Sequence, residues 1–220
     1  ILDDLVNKDG ICTAAEGWDF LIDEVCNREA LIEAGLMPET IREILEGVAS
    51  YVRKFQNGLG PVFQDNLESV FIEKCGYPPD ERALVLLQRL PGLASPDQQD
   101  GSRYFIDQQY VDAAKAGEVL RYISNPYQYR IISEPRQWQE CLGDMGISWL
   151  SLKSEDLNPG VLEEAIFQAN RNDMGVLASD ILLTLNSLEK PWTRESITFQ
   201  DLVIPVFEIK KGIDLSRLKF

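Results

Sequence analysis

A chain of 220 residues, 45% hydrophobic and 26% charged, has the composition of a soluble globular protein and the length for one large domain or two or three small ones. Its formal net charge of −15 repels phosphate backbones and anionic membranes. That excludes non-specific nucleic-acid binding by the whole surface, though not a local basic patch or a basic protein partner. No histidine is present, and Cys12, Cys26, Cys75 and Cys141 form no C-x-x-C pair, which removes the usual zinc constellations and leaves scattered reduced thiols, as in a cytosolic protein. No apolar run approaches the roughly 20 residues of a membrane helix. With Ile1 first and no signal peptide, the expectation is a segment of a longer polypeptide.

Residues 13–16 (TAAE) have the form of a capping box. Trp18, Leu21, Ile22, Val25, Glu29 and Ile32 come next at helical spacing and predict a Trp-led buried stripe. Glu29 on that stripe needs a partner, Arg42 or Arg53 from the next helix or else another domain. Residues 33–38 (EAGLMP) break the helix. Ile41, Ile44, Leu45, Val48, Tyr51, Val52 and Phe55 then give the clearest helical periodicity in the chain. Residues 57–61 (NGLGP) read as a linker and first boundary, with Gly58 and Gly60 as hinge candidates.

Beyond it, Asp65 or Asn66 is placed to cap a helix carrying Leu67, Val70 and Phe71. Asp80 caps the next, whose Ala83, Leu84, Val85, Leu86, Leu87 and Leu90 cover so much circumference that a central position is expected. Residues 100–107 (DGSRYFID) predict a turn and an extended wing packed under that helix, with Arg103 exposed or paired to Asp100 or Asp107. Alternatively Arg103 serves as a forked contact to phosphate or to an acidic surface. Asp107 starts a further helix with Tyr110, Val111, Ala114, Leu120 and Ile123 inward. Three short helices with an extended piece between the last two predict a winged-helix-like unit.

After residue 128 the pattern changes. Residues 128–135 (QYRIISEP) and 147–154 (ISWLSLKS) predict short strands, separated by an amphipathic helix around Trp138, Cys141 and Leu142. Residues 158–173 and 176–188 predict two paired helices. From Ser196 the chain is β-rich, and 199–205 (FQDLVIP) is echoed by 212–220 (GIDLSRLKF), as at the opening of a repeat array. The fold class is therefore mainly α, divided as 1–57, 62–127 and 128–220, the last a small α+β and repeat-like part.

No self-sufficient catalytic motif is present. Acid pairs occur at Asp3/Asp4, Asp23/Glu24 and Glu163/Glu164, but 36 acidic residues produce such pairs by chance. Neither G-x-x-x-x-G-K-[ST] nor G-x-G-x-x-G occurs, so no catalytic or metal-binding residue is assigned and no cofactor is expected in this segment.

The wording of 17–35 (GWDFLIDEVCNREALIEAG), 40–53 (TIREILEGVASYVR), 65–93 (DNLESVFIEKCGYPPDERALVLLQRLPGL) and 100–123 (DGSRYFIDQQYVDAAKAGEVLRYI) resembles the region C-terminal to the ATPase core in bacterial signal-transduction NTPases of the NACHT/STAND type. The resemblance spans about 18–123. It implies that 1–57 is a helical lid, 62–127 a winged-helix domain and 128–220 the entry to a sensor. It also implies ATP or ADP in the parent protein, the ATPase core of the same polypeptide as partner, homo-oligomerisation on activation, and a cytoplasmic role, in many members in antiphage defence. Many members contact the nucleotide phosphates through a winged-helix histidine. This chain has none, and the resemblance leaves that contact to Arg103, to another group, or to none. The competing readings are a winged-helix nucleic-acid-binding regulator, for which the helices offer few exposed bases, and a stand-alone helical protein-interaction module. An isolated enzyme is disfavoured, because no nucleophile–base pair can be assembled.

Overall fold

The computed structural model describes residues 13–129 and 135–189, with backbone only at 33–34, 197–198 and 218–219. The fold is mainly α. Helix α1 (Ala14–Glu29) begins at the expected capping box: Thr13 Oγ1 accepts the Glu16 amide at 3.2 Å, and the Glu16 carboxylate accepts the Thr13 amide at 2.8 Å. Its buried stripe is Ala15, Ile22, Cys26 and Glu29. Trp18 is half-buried, edge-on to Tyr110, and Ile32 is exposed, so the stripe runs beside the Trp-led one expected. A π turn (Ala30–Ala34) ends at Gly35 with φ +59°. In α2 (Pro38–Tyr51) the periodicity holds: Ile41, Ile44, Leu45, Val48 and the adjoining Val52 are all fully buried. Each such side chain contributes about 1.5–3 kcal/mol of burial.

Helix α3 (Gln64–Cys75) starts a little earlier than expected, because Asn66 caps from within the first turn by accepting the Phe63 amide at 3.0 Å. Asp80 caps α4 (Glu81–Gln88) through the Ala83 amide at 2.8 Å, as predicted. The chain then turns at Gly92 (φ +81°), whose missing Cβ leaves room for the Tyr110 ring. Three extended pieces come together around the helices. Val62 pairs antiparallel with Arg103, and Leu93 with Phe105. These pieces pair only through the two single bridges, with residues 95–101 in the loop that joins the second piece to the third. The buried core runs unbroken across 57–61, since α2 packs on both α3 and α5 (Gln108–Ser124).

The leucine-rich α4 is not central. It packs chiefly on α3 and the π turn, and Val85 is 40% exposed. The centre is α5, which packs on α1, α2, α6 (Asp144–Ser154), α7 (Pro159–Arg171) and α8 (Gly175–Ser187). Ala113, Ala114, Ala116 and Gly117 keep it thin enough for neighbours on every side. Size, not hydrophobicity, decides which helix is surrounded.

Two expectations in the C-terminal third are overturned. Residues 147–154 are helical, not a strand. Their short apolar alternation masks helical spacing, with Gly146, Trp149, Leu150 and Ser154 buried on one face. Residues 138–143 are irregular, not an amphipathic helix: Arg53 and Asp180, from distant elements, take the Gln139, Glu140 and Leu142 amides. Helices α7 and α8 pair as predicted. The strand expected at 128–135 and the echo of 199–205 and 212–220 lie outside the described residues for the most part. Backbone pairing there is parallel, between Ile197–Thr198 and Leu218–Lys219.

Candidate functional site

Arg103 is neither exposed nor paired with Asp100 or Asp107. It is 4% exposed, and its guanidinium donates to the Leu87 carbonyl (3.0 Å) and the Ala94 carbonyl (2.8 Å), tying the end of α4 to the segment that follows Gly92. Burial without a carboxylate partner lowers its pKa. Gly58 (φ +57°) and Gly60 (φ +153°) are close-approach positions. A Cβ at Gly58 would enter the Glu140 carboxylate, and one at Gly60 would sit 2.8 Å from the Arg103 carbonyl. Glu29 pairs with Arg28 (2.9 Å) and Arg89 (3.3 Å), not with Arg42 or Arg53. Those two arginines are committed elsewhere.

Of the acid pairs, Asp23 binds Arg42, and Glu164 accepts from Tyr127 and Gln168. Cys26, Cys75 and Cys141 are free thiols. Burial pushes Cys26 and Cys141 up to about 12, so neither holds appreciable thiolate at neutral pH. Among the described residues no group of three or more His, Cys, Asp or Glu side chains is placed to hold a metal ion.

What the structure does bring together is a set of buried charges around α5. Lys115, with no exposed side-chain surface, donates to Glu140 (2.7 Å) and Asp112 (3.1 Å). Glu118 accepts from Lys74 of α3 (2.7 Å) and from the Tyr129 hydroxyl (3.0 Å). Burial raises the Glu118 pKa against the pull of Lys74. Arg53, just past α2, forms a fully buried ion pair with Asp180 of α8 and lies 3.9 Å from the Trp138 ring centroid. Glu46 of α2 holds Arg42 (2.9 Å) and Arg121 (2.6 Å). Arg42 continues to Asp19 (2.9 Å) and Asp23, and Lys153 of α6 also reaches Asp19.

A cleft of about 310 Å³ opens among Arg42, Glu46, Arg121, Trp149 and Lys153. Its three cations are matched by four carboxylates, Asp19, Asp23, Glu43 and Glu46. The cleft therefore offers no net positive field for an anion, and its chemistry is that of a closed ion-pair cluster. The face a winged helix would turn to a duplex is no more basic. Helix α4 exposes Glu81, Arg82, Val85, Gln88 and Arg89, and the wing carries Asp97 and Asp100. The Asp100 carboxyl is held below its ordinary range by hydrogen bonds from Ser102.

Reasoning from sequence missed Lys115, Glu140 and Asp180, and it matched Arg53 to Glu29 and not to Asp180. A signal exists for two of them: Asp180 is a lone acid inside an apolar helical run, and Arg53 directly succeeds Val52 at the end of the most regular apolar stripe. Such placements demand a partner. No family model, curated protein or solved structure matches the chain.

Proposed function

We propose that this chain is a non-catalytic regulatory region of a multidomain NACHT/STAND-type ATPase, a nucleotide-dependent conformational switch between the ATPase core and a C-terminal sensor. ATP or ADP is bound by the core, the core is the main partner, and activation proceeds through homo-oligomerisation in the cytoplasm, with antiphage defence as the setting. The observation that supports the reading is the exposed surface of α4 and the 95–101 loop, where Arg82 and Arg89 are offset by Glu81, Asp97 and Asp100 and no basic stripe forms. Such a surface is unsuited to phosphate backbones and suited to a protein face.

The test uses the longer polypeptide that contains this chain. Hydrogen exchange across residues 13–189 is compared with no nucleotide, with ADP and with Mg-ATP. Nucleotide-dependent protection in the winged unit is the expected result. A polypeptide that binds no nucleotide, or one whose exchange in this region ignores it, overturns the reading. So does tight duplex binding in a low-salt mobility-shift assay.

A further inference from the structure

The irregular segment 138–143 is where three parts of the chain meet. The Arg53 carbonyl accepts the Gln139 amide (2.9 Å) and the Glu140 amide (3.2 Å). In return the Arg53 guanidinium donates to the Glu140 carbonyl from Nε (3.1 Å) and Nη2 (2.9 Å). Asp180 of α8 takes the same guanidinium on one oxygen and the Leu142 amide (2.8 Å) on the other. Lys115 of α5 holds the Glu140 carboxylate, and the Gly143 Cα faces the Asp112 carboxylate with no room for a side chain. One buried ion pair thus carries the end of α2, a connecting segment and α8.

Burial of this kind is a poor route to stability, because desolvating two charges cancels most of their attraction. Two polar groups at the junction are also left short. Arg53 Nη1 and Trp138 Nε1 are buried with no hydrogen-bond partner. A closed state that leaves donors unsatisfied is relieved when water reaches them, whereas an apolar seam is penalised on opening. The junction therefore combines directional closure with a low cost of release.

We propose that the Arg53–Asp180 pair and the segment it clamps form a conformational latch that ties α7 and α8 to the winged-helix unit and opens as a step separate from global unfolding. Its biological role rests on the switch reading, but the latch is measured without nucleotide, so failure of one is distinguishable from failure of the other.

The experiment is native-state hydrogen exchange on the full chain, with the Gln139, Glu140 and Leu142 amides compared with Val48 and Val119 of the core. In the unmodified protein the three junction amides exchange faster than the core, by an opening that added urea hardly accelerates. Asp180→Asn speeds them by about tenfold to a hundredfold, the factor for a weakened charge-assisted hydrogen bond, and leaves the core amides nearly unchanged. An apolar pair, Arg53→Met with Asp180→Leu, slows the Gln139 and Glu140 amides relative to Asp180→Asn. The latch is overturned if the junction amides of the unmodified protein exchange only at the core rate with the full urea dependence. It is equally overturned if Asp180→Asn accelerates core and junction alike, or if the apolar pair exchanges those amides as fast as Asp180→Asn. Should Asp180→Asn fail to fold, the urea dependence of the unmodified protein decides alone.

Discussion

Gly117→Ala tests the charge cluster in a direction opposite to helix propensity. Gly117 sits mid-helix in α5, where replacing Gly by Ala ordinarily stabilises by about 1 kcal/mol. Here a Cβ would fall within the Glu46 carboxylate, with Cγ only 2.8 Å away. A free glutamate would swing aside at little cost. Glu46 cannot, because it is 2% exposed and holds Arg42 from one oxygen and Arg121 from the other. Charge-assisted hydrogen bonds contribute about 1.5–3 kcal/mol each. Arg42 keeps Asp19 and Asp23, and Arg121 keeps Glu43, which offsets part of that loss.

The expected net effect is a destabilisation of about 1–3 kcal/mol, read as a lower urea midpoint at unchanged slope. The decisive measurement is the double-mutant cycle with Glu46→Ala. With the carboxylate gone, Ala at 117 regains its propensity advantage, so its effect changes sign. Gly117→Ala that is neutral or stabilising in the unmodified background refutes the description of Glu46 as pinned.

Arg103→Met leaves the Ala94 carbonyl without its donor and the Leu87 carbonyl with backbone amides alone and is expected to lower stability by about 1–3 kcal/mol, measured by urea unfolding. An unchanged midpoint would show the guanidinium to be free for another contact. Burial alone would raise Asp19, but hydrogen bonds from Lys153 and Arg42 outweigh it and hold its carboxyl below the ordinary value of 3.8. A lowered folded-state pKa contributes stability above the unfolded value and loses it as pH falls through the folded one. Asp19→Asn is therefore less stable than the unmodified chain at neutral pH, and the gap closes on acidification through that range. A gap in urea midpoint that stays constant with pH would contradict this.

Element types were legible where the informative contacts are local. The capping box at Thr13, the Asp80 and Asp107 caps and the α2 stripe are set within one or two turns, and the structure reproduces them. The misreadings come from contacts that act at long range. Residues 138–143 stay non-helical because Arg53 and Asp180, 127 residues apart in sequence, take the Gln139, Glu140 and Leu142 amides. The alternation of 147–154 spans too few residues to separate period 2 from period 3.6. Helix α5 carries Asp112, Lys115 and Glu118, yet all three are buried: Lys115 pairs with Glu140 and Glu118 with Lys74 from other elements, and Asp112 with Lys115 of the same helix. Of the site residues, Arg103 was visible as an arginine in an apolar wing, but its carbonyl partners were not, since nothing local encodes them.

One apolar core runs through the described helices, from Val62, Leu67, Phe71, Leu86, Leu87 and Phe105 to Trp149, Leu150, Ile166, Leu177 and Ile181. Ionic and cation–aromatic contacts are added to it, both among α2, α3 and α5, through Glu46–Arg121 and Glu118–Lys74, and between more distant parts of the chain. Asp19 joins α1 to α6 through Lys153, with Arg42 and Lys153 both over the Trp149 ring; Lys115 joins α5 to Glu140; Arg53 joins the end of α2 to α8. Apolar interiors resist opening in proportion to the area they would expose to water. Ionic seams recover hydration as they part, and interfaces between moving domains are the more polar ones for that reason. The 57–61 segment, where Gly58 and Gly60 are wedged against Glu140 and Arg103, is itself held at such a seam.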